Sequence, residues 1–355
     1  MPPDPLSGLY LGETLLGRYE IVEFINAGGF CFVFRACDLT ENKEVAIKIL
    51  RPGAGAEAQL EFQTEGQLLE RLRHRSHVLN LLGSPSNTDT ITITKPGLPS
   101  PIPLPVEFIV IDLADACLAD LVVNRSHVSW SARLSLFRDV VLGVHQMHLG
   151  TIVHRDIKSE NALVTLDGGS TAHACIADLG RGRDLHDPPR FLSDAYLAGR
   201  GDLRFAPPEL LHLAGSEDPA VFRRADVFLL GSALFELATG QGITSMVFTN
   251  PHAVLTGAMA IAPDQRLKDY KARVSEHRAR FEPVFLLAQS EFPSSIRHDA
   301  TRLLRQLCDA DPELREARFR ADSRNPIWGL HWLLRRVDVL IRREQIEVRR
   351  TRKAP

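Results

Sequence analysis

The residues best suited to chemistry form one run in the middle of the chain, residues 154–161, which read His-Arg-Asp-Ile-Lys-Ser-Glu-Asn. The run follows an apolar pair, Ile152 and Val153, so we expect a loop in which Asp156 and Asn161 point into one site. A carboxylate there can orient a hydroxyl group and accept its proton, and an amide oxygen can ligate a divalent cation. The run therefore indicates an acid–base site with a metal, rather than a charged loop that matches by chance.

Asp178 is the second candidate. It ends an apolar run at residues 176–177 and is followed two residues later by Gly180. An Asp before a glycine is common in ordinary turns, and it also suits a metal-binding carboxylate at the end of a strand. Because Asp178 follows the first run along the chain, we favour the metal-binding interpretation.

Lys48 and Glu65 form the third candidate group. Lys48 ends the strand-like run Val-Ala-Ile-Lys, where a lone lysine is more typical of a strand edge. Glu65 lies on the apolar stripe of a predicted helix, with Phe62, Leu69 and Leu72 at helical spacing. An unpaired carboxylate there would be costly, so Glu65 requires a cation, and Lys48 is the obvious partner. A lysine held by a glutamate can bind polyphosphate oxygens as a fixed point charge.

A glycine-containing turn precedes Lys48. Residues 26–33 read Asn-Ala-Gly-Gly-Phe-Cys-Phe-Val and lie between two predicted strands. A loop that covers a phosphate group would be placed here, and the pattern keeps one of its three expected glycines, at Gly28. Taken alone, this pattern is typical of a plain hairpin turn.

The elements that must position these groups change along the chain. The first third is rich in strand patterns and the remainder is helical, with a predicted hinge near residues 112–117. The predicted strands span 19–24, 32–36, 44–50, 88–94 and 107–113, and the predicted helices span 56–73, 131–149 and 226–239. Five prolines between residues 96 and 105 predict an exposed loop, because proline cannot occupy a central strand.

The composition is that of an ordinary globular protein. The 355 residues carry 42 Lys+Arg and 44 Asp+Glu, and the resulting net charge of −2 argues against nucleic-acid binding through overall charge. No apolar run reaches the ~18 residues that span a bilayer, and the N-terminus lacks the pattern of a secretory signal. Five scattered cysteines without a Cys-x-x-Cys pair indicate free thiols in a reducing compartment. We therefore expect a cytoplasmic protein.

The order of these motifs resembles the eukaryotic-like Ser/Thr protein kinase family. The resemblance covers about residues 19–315 and rests on eight landmarks in the family's order. They are Val-Ala-Ile-Lys ending at Lys48, Glu65, His-Arg-Asp at 154–156, Asn161, Asp-Leu-Gly at 178–180, Ala-Pro-Pro-Glu at 206–209, Asp-Val-Phe-Leu-Leu-Gly at 226–231 and Asp-Pro-Glu-Leu-Arg at 311–315.

This resemblance implies an α+β, protein-kinase-like two-lobed fold. A small strand-rich N-lobe with one main helix and a larger helical C-lobe would hold ATP between them. Residues 1–17 would then be an N-terminal extension, and residues 18–326 would be the kinase domain. Within that domain the N-lobe would span 18–114 and the C-lobe 115–326, and residues 327–355 would form a basic C-terminal helix and tail.

The resemblance also implies the roles of four catalytic residues. Asp156 would be the catalytic base, and Lys158 would help to neutralise the transferred phosphoryl group. Lys48, held by Glu65, would contact the α and β phosphates of ATP. A lysine two residues after the catalytic Asp matches Ser/Thr kinases rather than Tyr kinases, and it argues against the aminoglycoside-type kinases.

The cofactor ligands follow from the same resemblance. Asn161 and Asp178 would ligate Mg²⁺, with Mn²⁺ as an alternative metal. Glu209 and Arg315 would form a buried structural pair. The positions that would meet the nucleotide are Asn26, Gly28, Val33, Ala46, Lys48, the gatekeeper Ile111, and Asp112 and Ala114 in the hinge, together with the two metal ligands.

The sequence departs from the family pattern at two places. Asn26 and Cys31 replace loop glycines, which predicts weaker binding of ATP because a side chain limits the approach of the backbone to a phosphate. Cys31 is either an oxidisable thiol over the nucleotide or a packed cysteine. Asp202 stands where Ser/Thr kinases usually carry a threonine, and we expect it to pair with Lys158 in competition with Asp156.

Three segments have no assigned chemical role. Ser193 and Tyr196 are candidate phosphorylation sites whose phosphate would pair with Arg155, unless nearby acidic residues already supply that charge. An insertion within residues 240–290 is either a docking surface or a solvated helix. The basic end of the tail, residues 342–353, is either solvated or contacts an acidic partner, nucleic acid or a membrane surface.

The sequence thus predicts a Ser/Thr protein kinase that uses ATP and Mg²⁺ and can phosphorylate itself. Its protein substrate and its oligomeric state are not indicated. Two alternatives stay open at this point. One is a pseudokinase that binds nucleotide and signals by docking, and the other is a kinase for a hydroxyl group of a small molecule.

Overall fold

A computed structural model describes residues 6–93, 100–168, 171–188, 202–215, 218–316 and 329–353. The chain divides into two compact units, and each is described by itself. The first contains the described residues up to Arg75, Leu79–Asp115 and Asp178–Gly180. The second contains Ser76–Val78, Ala116–Ala177 and the described residues from Arg181 onward. The boundary after Asp115 lies within the predicted hinge.

A six-stranded antiparallel sheet forms most of the first unit. Its strands are β1 (Thr14–Leu15), β2 (Tyr19–Ala27), β3 (Cys31–Asp38), β4 (Lys43–Leu50), β5 (Asn87–Ile93) and β6 (Ile102–Ile111). They follow the order β1-β2-β3-β4-β6-β5. Lys48 of β4 lies opposite Val33 of β3 on one side and Ile109 of β6 on the other. This register places Lys48 on an inner strand, away from the edge position that a lone strand lysine would favour.

An apolar core covers one face of this sheet. Phe32 and Phe34 of β3 and Ile47 and Ile49 of β4 alternate along their strands and are fully buried. The ring of Tyr10 packs against both phenylalanines, with centroid distances of 6.0 and 5.5 Å.

The residues before β2 belong to the same core. Tyr10 and Leu15 are fully buried within it, and Thr14 of β1 pairs with Glu20 of β2. The described residues 6–17 are therefore part of the first unit, and the assignment of residues 1–17 as an N-terminal extension stays a prediction.

Helix α1 (Ala56–Arg71) is the main helix of the first unit, and it confirms the predicted helix at residues 56–73. Its buried face includes Phe62, Glu65 and Leu69. A Cβ atom at Gly66 would lie 1.9 Å from the carbonyl oxygen of Pro85. The glycine therefore allows α1 to approach the backbone that leads into β5.

The proline-rich segment differs from its prediction. Pro103 and Pro105 lie in β6, where they pair with Thr92 and Thr90 of β5. Strand β4 pairs with β6 only from Phe108 onward, so the prolines occupy the part of β6 that has a single neighbour. A proline is tolerated there because its missing N–H can face the open side of the strand.

The second unit is mostly helical. Its helices are α2 (Leu118–Val123), α3 (Trp130–Leu149), α4 (Pro208–Leu211), α5 (Pro219–Thr239), α6 (Ile243–Val247), α7 (Pro251–Met259), α8 (Pro263–Glu291), α9 (Arg297–Leu307) and α10 (His331–Lys353). Its short strands are β7 (Ala116–Cys117), β8 (Ile152–Val153), β9 (Ala162–Asp167), β10 (Thr171–Ile176) and β11 (Arg183–Asp184). The strands form a sheet in the order β10-β9-β7 and a separate β8-β11 pair. A strand-rich unit and a helical unit confirm the expected fold class.

Helix α5 runs through the core of the second unit. Its N-terminus is capped by Asp218, whose carboxylate accepts a hydrogen bond from the N–H of Ala220 at 2.8 Å. Its residues are buried on nearly every side between Phe222 and Ala238, as predicted from their apolar pattern. The helix ends at Gly240, which has a left-handed φ of 79°.

Helix α10 packs against α3 in the same unit. The predicted apolar stripe is confirmed at Leu330, Leu334, Val337 and Ile341, which are all buried. Ile327, the first residue of that stripe, lies outside the described residues.

The predicted pair of Glu209 and Arg315 is also confirmed. Two bonds of 2.6 Å join the guanidinium group to the two carboxylate oxygens, and both side chains are buried. Arg315 also donates to the carbonyl oxygen of Asp309 at 2.8 Å. This bidentate pair joins α4 to the segment after α9.

Buried histidines make the stability of the second unit depend on pH. His212 packs against His277 at a ring distance of 4.8 Å, and its Nε2 atom has no hydrogen-bond partner among the described residues. Burial and the neighbouring His277 and Arg273 lower the pKa of His212 from 6.5 to about 4. The unfolded chain therefore binds more protons between these values, so the contribution of His212 is present above pH 6.5 and lost as the pH falls toward 4.

We predict that His212→Phe reduces the pH dependence of unfolding. In the wild type, His212 alone lowers the free energy of unfolding by about 2 kcal/mol between pH 7 and pH 5. The phenylalanine variant lacks this contribution, which urea unfolding at the two pH values measures. His298→Phe, at an exposed position of α9, is the control and keeps the wild-type dependence. An unchanged pH dependence in His212→Phe would contradict the assignment.

Candidate active site

Lys48 is the centre of a charged cluster in the first unit. Its Nζ atom lies 2.6 Å from Oε2 of Glu65 on α1 and 3.0 Å from Oδ1 of Asp178. The pairing of Lys48 with Glu65 was predicted from the helical stripe and is confirmed. The second carboxylate, Asp178, had no signal that tied it to this lysine, because 130 residues separate the two.

Electrostatics keep Lys48 charged. Burial opposes the charge on Lys48, but Asp178 and Glu65 outweigh it and raise the pKa of the ammonium group above its ordinary value. Burial raises the pKa of the Glu65 carboxyl group, and Lys48 lowers it by a smaller amount. The carboxylate of Glu65 therefore depends on Lys48 as its counter-ion.

The turn between β2 and β3 lies at the end of the hairpin that pairs with β4. Asn26 pairs with Val33, and the N–H of Gly28 donates to the carbonyl oxygen of Cys31 at 2.9 Å. Arg51 donates to the carbonyl oxygen of Gly28 at 3.1 Å, a contact that the sequence patterns missed. Cys31 is 2 % exposed, and burial raises the pKa of its thiol to about 12. Of the two interpretations of Cys31, the structure favours the packed thiol.

The remaining predicted nucleotide positions lie on the adjoining strands. Ala46 of β4 and Ile111, the last residue of β6, are directly opposite each other and buried. The N–H of Asp112 donates to the carbonyl oxygen of Asn80 at 3.1 Å, which fixes the chain where it leaves β6. Ala114 follows two residues later and is half-buried.

The loop at residues 154–161 in the second unit is anchored by Asp226 of α5. The carboxylate of Asp226 accepts hydrogen bonds from the N–H groups of His154 and Arg155, each at 2.8 Å, and from Nε2 of His148 at 2.9 Å. Arg155 has a φ of 70°, an unfavourable left-handed conformation for a residue with a side chain. The two bonds from the backbone of His154 and Arg155 to Asp226 hold the loop in that conformation.

The carboxylate of Asp156 in this loop accepts hydrogen bonds on both of its oxygens. Nδ2 of Asn161 donates to the backbone oxygen of Asp156 at 2.7 Å and to its Oδ2 at 3.0 Å. The N–H of Asp202 donates to Oδ1 at 3.2 Å, and Nζ of Lys158 lies 3.3 Å from Oδ2. The predicted residues Asp156, Lys158 and Asn161 are thus brought together within the second unit.

Asp202 pairs with Lys158 as expected, but its closer partner is Arg204. Its carboxylate lies 3.9 Å from Nζ of Lys158, whereas Nε of Arg204 lies 3.0 Å from both of its oxygens. Hydrogen bonds to Arg204 offset the burial of Asp202 and lower its pKa, so Asp202 is a carboxylate. The carboxylate of Asp202 is therefore paired mainly with Arg204. Asp202 contacts Asp156 through its backbone N–H group.

Glu236 supports the loop from α5, and sequence patterns did not indicate it. Its two carboxylate oxygens accept hydrogen bonds from Oγ and N–H of Ser159, at 2.6 and 3.0 Å. Ser159 lies between Lys158 and Asn161, so this contact fixes the backbone that carries both. A separation of 77 residues gave no local pattern from which to find it.

The predicted phosphorylation sites Ser193 and Tyr196 lie outside the described residues. Their predicted partner, Arg155, donates to the carbonyl oxygen of Arg181 at 3.2 Å.

Comparison with known proteins identifies a matching family and several relatives. The family model described as protein kinase domain matches residues 19–321, which is most of the chain. The serine/threonine-protein kinase PrkC of Bacillus subtilis is 25% identical over 234 residues, which cover 66% of this chain and 32% of that protein. The serine/threonine-protein kinase PknB of Mycobacterium tuberculosis is 26% identical over 230 residues, covering 64% and 33%.

A probable serine/threonine-protein kinase of Corynebacterium efficiens is 29% identical over 231 residues, covering 64% of this chain and 32% of that protein. The chain therefore spans about a third of the length of these curated relatives. Among the residues that the structure describes, no helix combines the length and the apolar character needed to cross a membrane.

The dependence of Glu65 on Lys48 can be tested by unfolding. We predict that Lys48→Met lowers the free energy of unfolding by about 3 kcal/mol at pH 7, because it leaves a buried carboxylate without its cation. The double variant Lys48→Met/Glu65→Met, which removes both charges, recovers most of that loss. Urea unfolding of the two variants measures both values. A double variant that is less stable than Lys48→Met would contradict the pairing.

Proposed function

The chain belongs to the protein kinase domain family, and from this membership we propose that it transfers the γ-phosphoryl group of ATP to serine and threonine hydroxyl groups of proteins. The names of its relatives support the choice of Ser/Thr over other acceptors. The observation that carries the proposal is the arrangement around Asp156, a carboxylate with a hydrogen-bond donor on each oxygen and a lysine beside it.

We assign the proton transfer to Asp156. Each carboxylate oxygen can accept two hydrogen bonds, so the donors from Asn161 and Asp202 leave acceptor capacity for a substrate hydroxyl group. Asp156 would orient that hydroxyl and accept its proton as the oxygen attacks the γ phosphorus and the bond from that phosphorus to the oxygen of the departing ADP breaks. The two donors fix the direction of the carboxylate before the substrate binds.

Lys158 supplies positive charge next to this base. Burial lowers the pKa of Lys158, but the carboxylates of Asp156 and Glu160 outweigh it and raise the pKa, so the side chain stays a cation. We propose that its ammonium group offsets the negative charge of the transferred phosphoryl group.

Lys48 is the proposed ligand of the α and β phosphates. It is a cation whose position is fixed by Glu65, which suits a group that must bind polyphosphate oxygens. The other proposed nucleotide contacts are those of the first unit, Asn26, Gly28, Val33, Ala46, Ile111, Asp112 and Ala114.

Asn161 and Asp178 suit a magnesium ion by the chemistry of their oxygens. Asn161 directs its NH₂ group toward Asp156, and the side chain of Asp178 is 46% exposed. Among the described residues, no group of three His, Cys, Asp or Glu side chains could hold a metal. Each of the two side chains would supply one oxygen ligand to Mg²⁺, whose other ligands are usually phosphate and water oxygens and which supplies charge neutralisation at the phosphates.

The cysteines support a reducing environment. All five are free thiols in the structure. We propose on this basis that the catalytic domain works in the cytoplasm.

The role of Asp156 predicts the effect of Asp156→Asn. Because the amide cannot accept the hydroxyl proton, the initial rate of phosphorylation of a generic protein substrate falls at least about hundredfold. Nucleotide binding, measured by titration with a fluorescent ATP analogue and Mg²⁺, stays within about twofold of the wild type because binding does not require the base.

Removal of the divalent cation by a chelator is a control in the same assay. An excess of EDTA abolishes transfer in the wild type, and added Mg²⁺ restores it. An Asp156→Asn variant as active as the wild type would contradict the assignment of the base. A wild type that binds nucleotide but transfers no phosphate would contradict the proposed function itself.

The pairing of Asp202 with Arg204 predicts a second effect on the rate. Arg204→Ala releases the carboxylate of Asp202, which can then pair with Lys158 and draw it away from Asp156. We expect kcat to fall by roughly tenfold to hundredfold. Asp202→Asn/Arg204→Ala keeps the backbone N–H on Asp156 without the competing charge, and it recovers most of the rate. Steady-state kinetics of both variants measures this, and a double variant no faster than Arg204→Ala would contradict the account.

A further inference from the structure

A groove lined by arginines lies between α9 and α10 in the second unit. It has a volume of about 300 Å³, and its lining includes Arg302, Arg335, Arg336 and Arg343. Its size is at the lower end of the range for small-molecule sites, so it suits a group of side-chain dimensions. No contact assigned to the phosphoryl-transfer site involves these residues.

The groove is held by the packing of α10. Leu333, Val337 and Leu340 of α10 are buried, and Arg138 of α3 donates to Asp338 at 2.6 Å. Glu344 of α10 accepts a hydrogen bond from Ser295 in the turn before α9. Both walls of the groove are therefore fixed before a ligand arrives.

Positive charge exceeds negative charge in the groove. Asp299 is the one carboxylate of its lining, and it pairs with Arg302 at 3.2 Å and with Arg343. Arg336 donates to the neutral side chain of Gln306 at 2.6 Å, so that bond does not compensate its charge. Burial and the nearby Arg302 lower the pKa of Arg336.

The floor of the groove is apolar. Leu303, Val339 and Leu340 lie among the arginines, and Val339 is 47% exposed. A ligand that suits this lining carries a compact, multiply charged anion attached to an apolar stem. Guanidinium groups bind phosphate oxygens through paired hydrogen bonds, so a phosphate monoester matches the charged part.

We propose that this groove binds a phosphorylated serine or threonine of a protein segment. The choice of occupant rests on the proposed function, because the phosphoryl transfer proposed above makes this group. The phosphate would meet the arginines, and the Cβ region and the neighbouring side chain would pack on Leu303 and Val339. A concave site of this size is a poor match for a flat lipid surface or for the long phosphate track of a nucleic acid.

Binding can be measured without catalysis. The probes are two fluorescein-labelled pools of degenerate nonapeptides, one with a central phosphothreonine and one with threonine at that position. Fluorescence anisotropy of the full chain in about 150 mM salt and without ATP compares the two pools. We expect the phosphorylated pool to bind at least about tenfold more tightly than the other pool.

Matched variants locate the binding site. Arg335→Ala/Arg336→Ala removes two exposed arginines from the groove, and we expect it to lose the preference for phosphate. Arg349→Ala/Arg350→Ala removes the same charge from exposed positions of α10 beyond the groove, and we expect it to bind within about twofold of the wild type. Thermal unfolding of both variants checks that α10 is still in place.

Three results would overturn the proposal: no preference for the phosphorylated pool, an equal loss in both double variants, or binding to vesicles rich in phosphatidylserine without binding to the phosphorylated pool. The last result would identify α10 as a membrane-binding surface. We expect Asp156→Asn to bind the phosphorylated pool as the wild type does. Phosphopeptide binding by a chain that lacks transfer activity would reject the proposed function while leaving this inference intact.

Discussion

The loop at residues 154–161 depends on the hydrogen bonds that it donates to the buried carboxylate of Asp226. This carboxylate is fully buried in α5 and accepts hydrogen bonds from two backbone N–H groups and one imidazole. A buried charge is costly unless it is fully hydrogen-bonded, and here the cost is offset by donors from the loop that it holds. The strained conformation of Arg155 is maintained by the same bonds, and the next residue is Asp156. The position of the proposed base thus follows from a charge in the core.

The same principle recurs at three other buried carboxylates. Glu236 is matched by Ser159, Glu65 by Lys48, and Glu209 by Arg315. Buried ion pairs contribute little net stability compared with apolar residues of the same size, but the loss of one partner is expensive. Each pair therefore restricts the structure to arrangements in which its two elements meet. The contacts of Glu236 with Ser159 and of Glu65 with Lys48 lie in elements that carry proposed catalytic and nucleotide-binding residues, whereas Glu209 and Arg315 join two structural segments.

The spacing of apolar residues predicted the helices whose burial depends on residues close together in the sequence. The apolar stripe around Glu65 identified both α1 and the need for Lys48, and the apolar pattern of α5 predicted its burial. The prediction of a loop at the prolines of β6 was wrong. Proline is excluded from central strands, but the sequence does not show that this half of β6 has only one neighbouring strand. Tyr10 and the two-residue strand β1 carry no pattern of their own. The contacts of Glu236 with Ser159 and of Arg204 with Asp202 depend on tertiary structure and side-chain geometry, which spacing does not encode.

The central claim is that this chain transfers phosphate to protein hydroxyl groups. The most direct measurement is mass spectrometry of the purified, phosphatase-treated protein after incubation with ATP and Mg²⁺ and a generic protein substrate. The account predicts new phosphate on serine or threonine residues and none on tyrosine. Nucleotide binding with no phosphorylated residue on either protein would contradict it and would favour a kinase-like binding module.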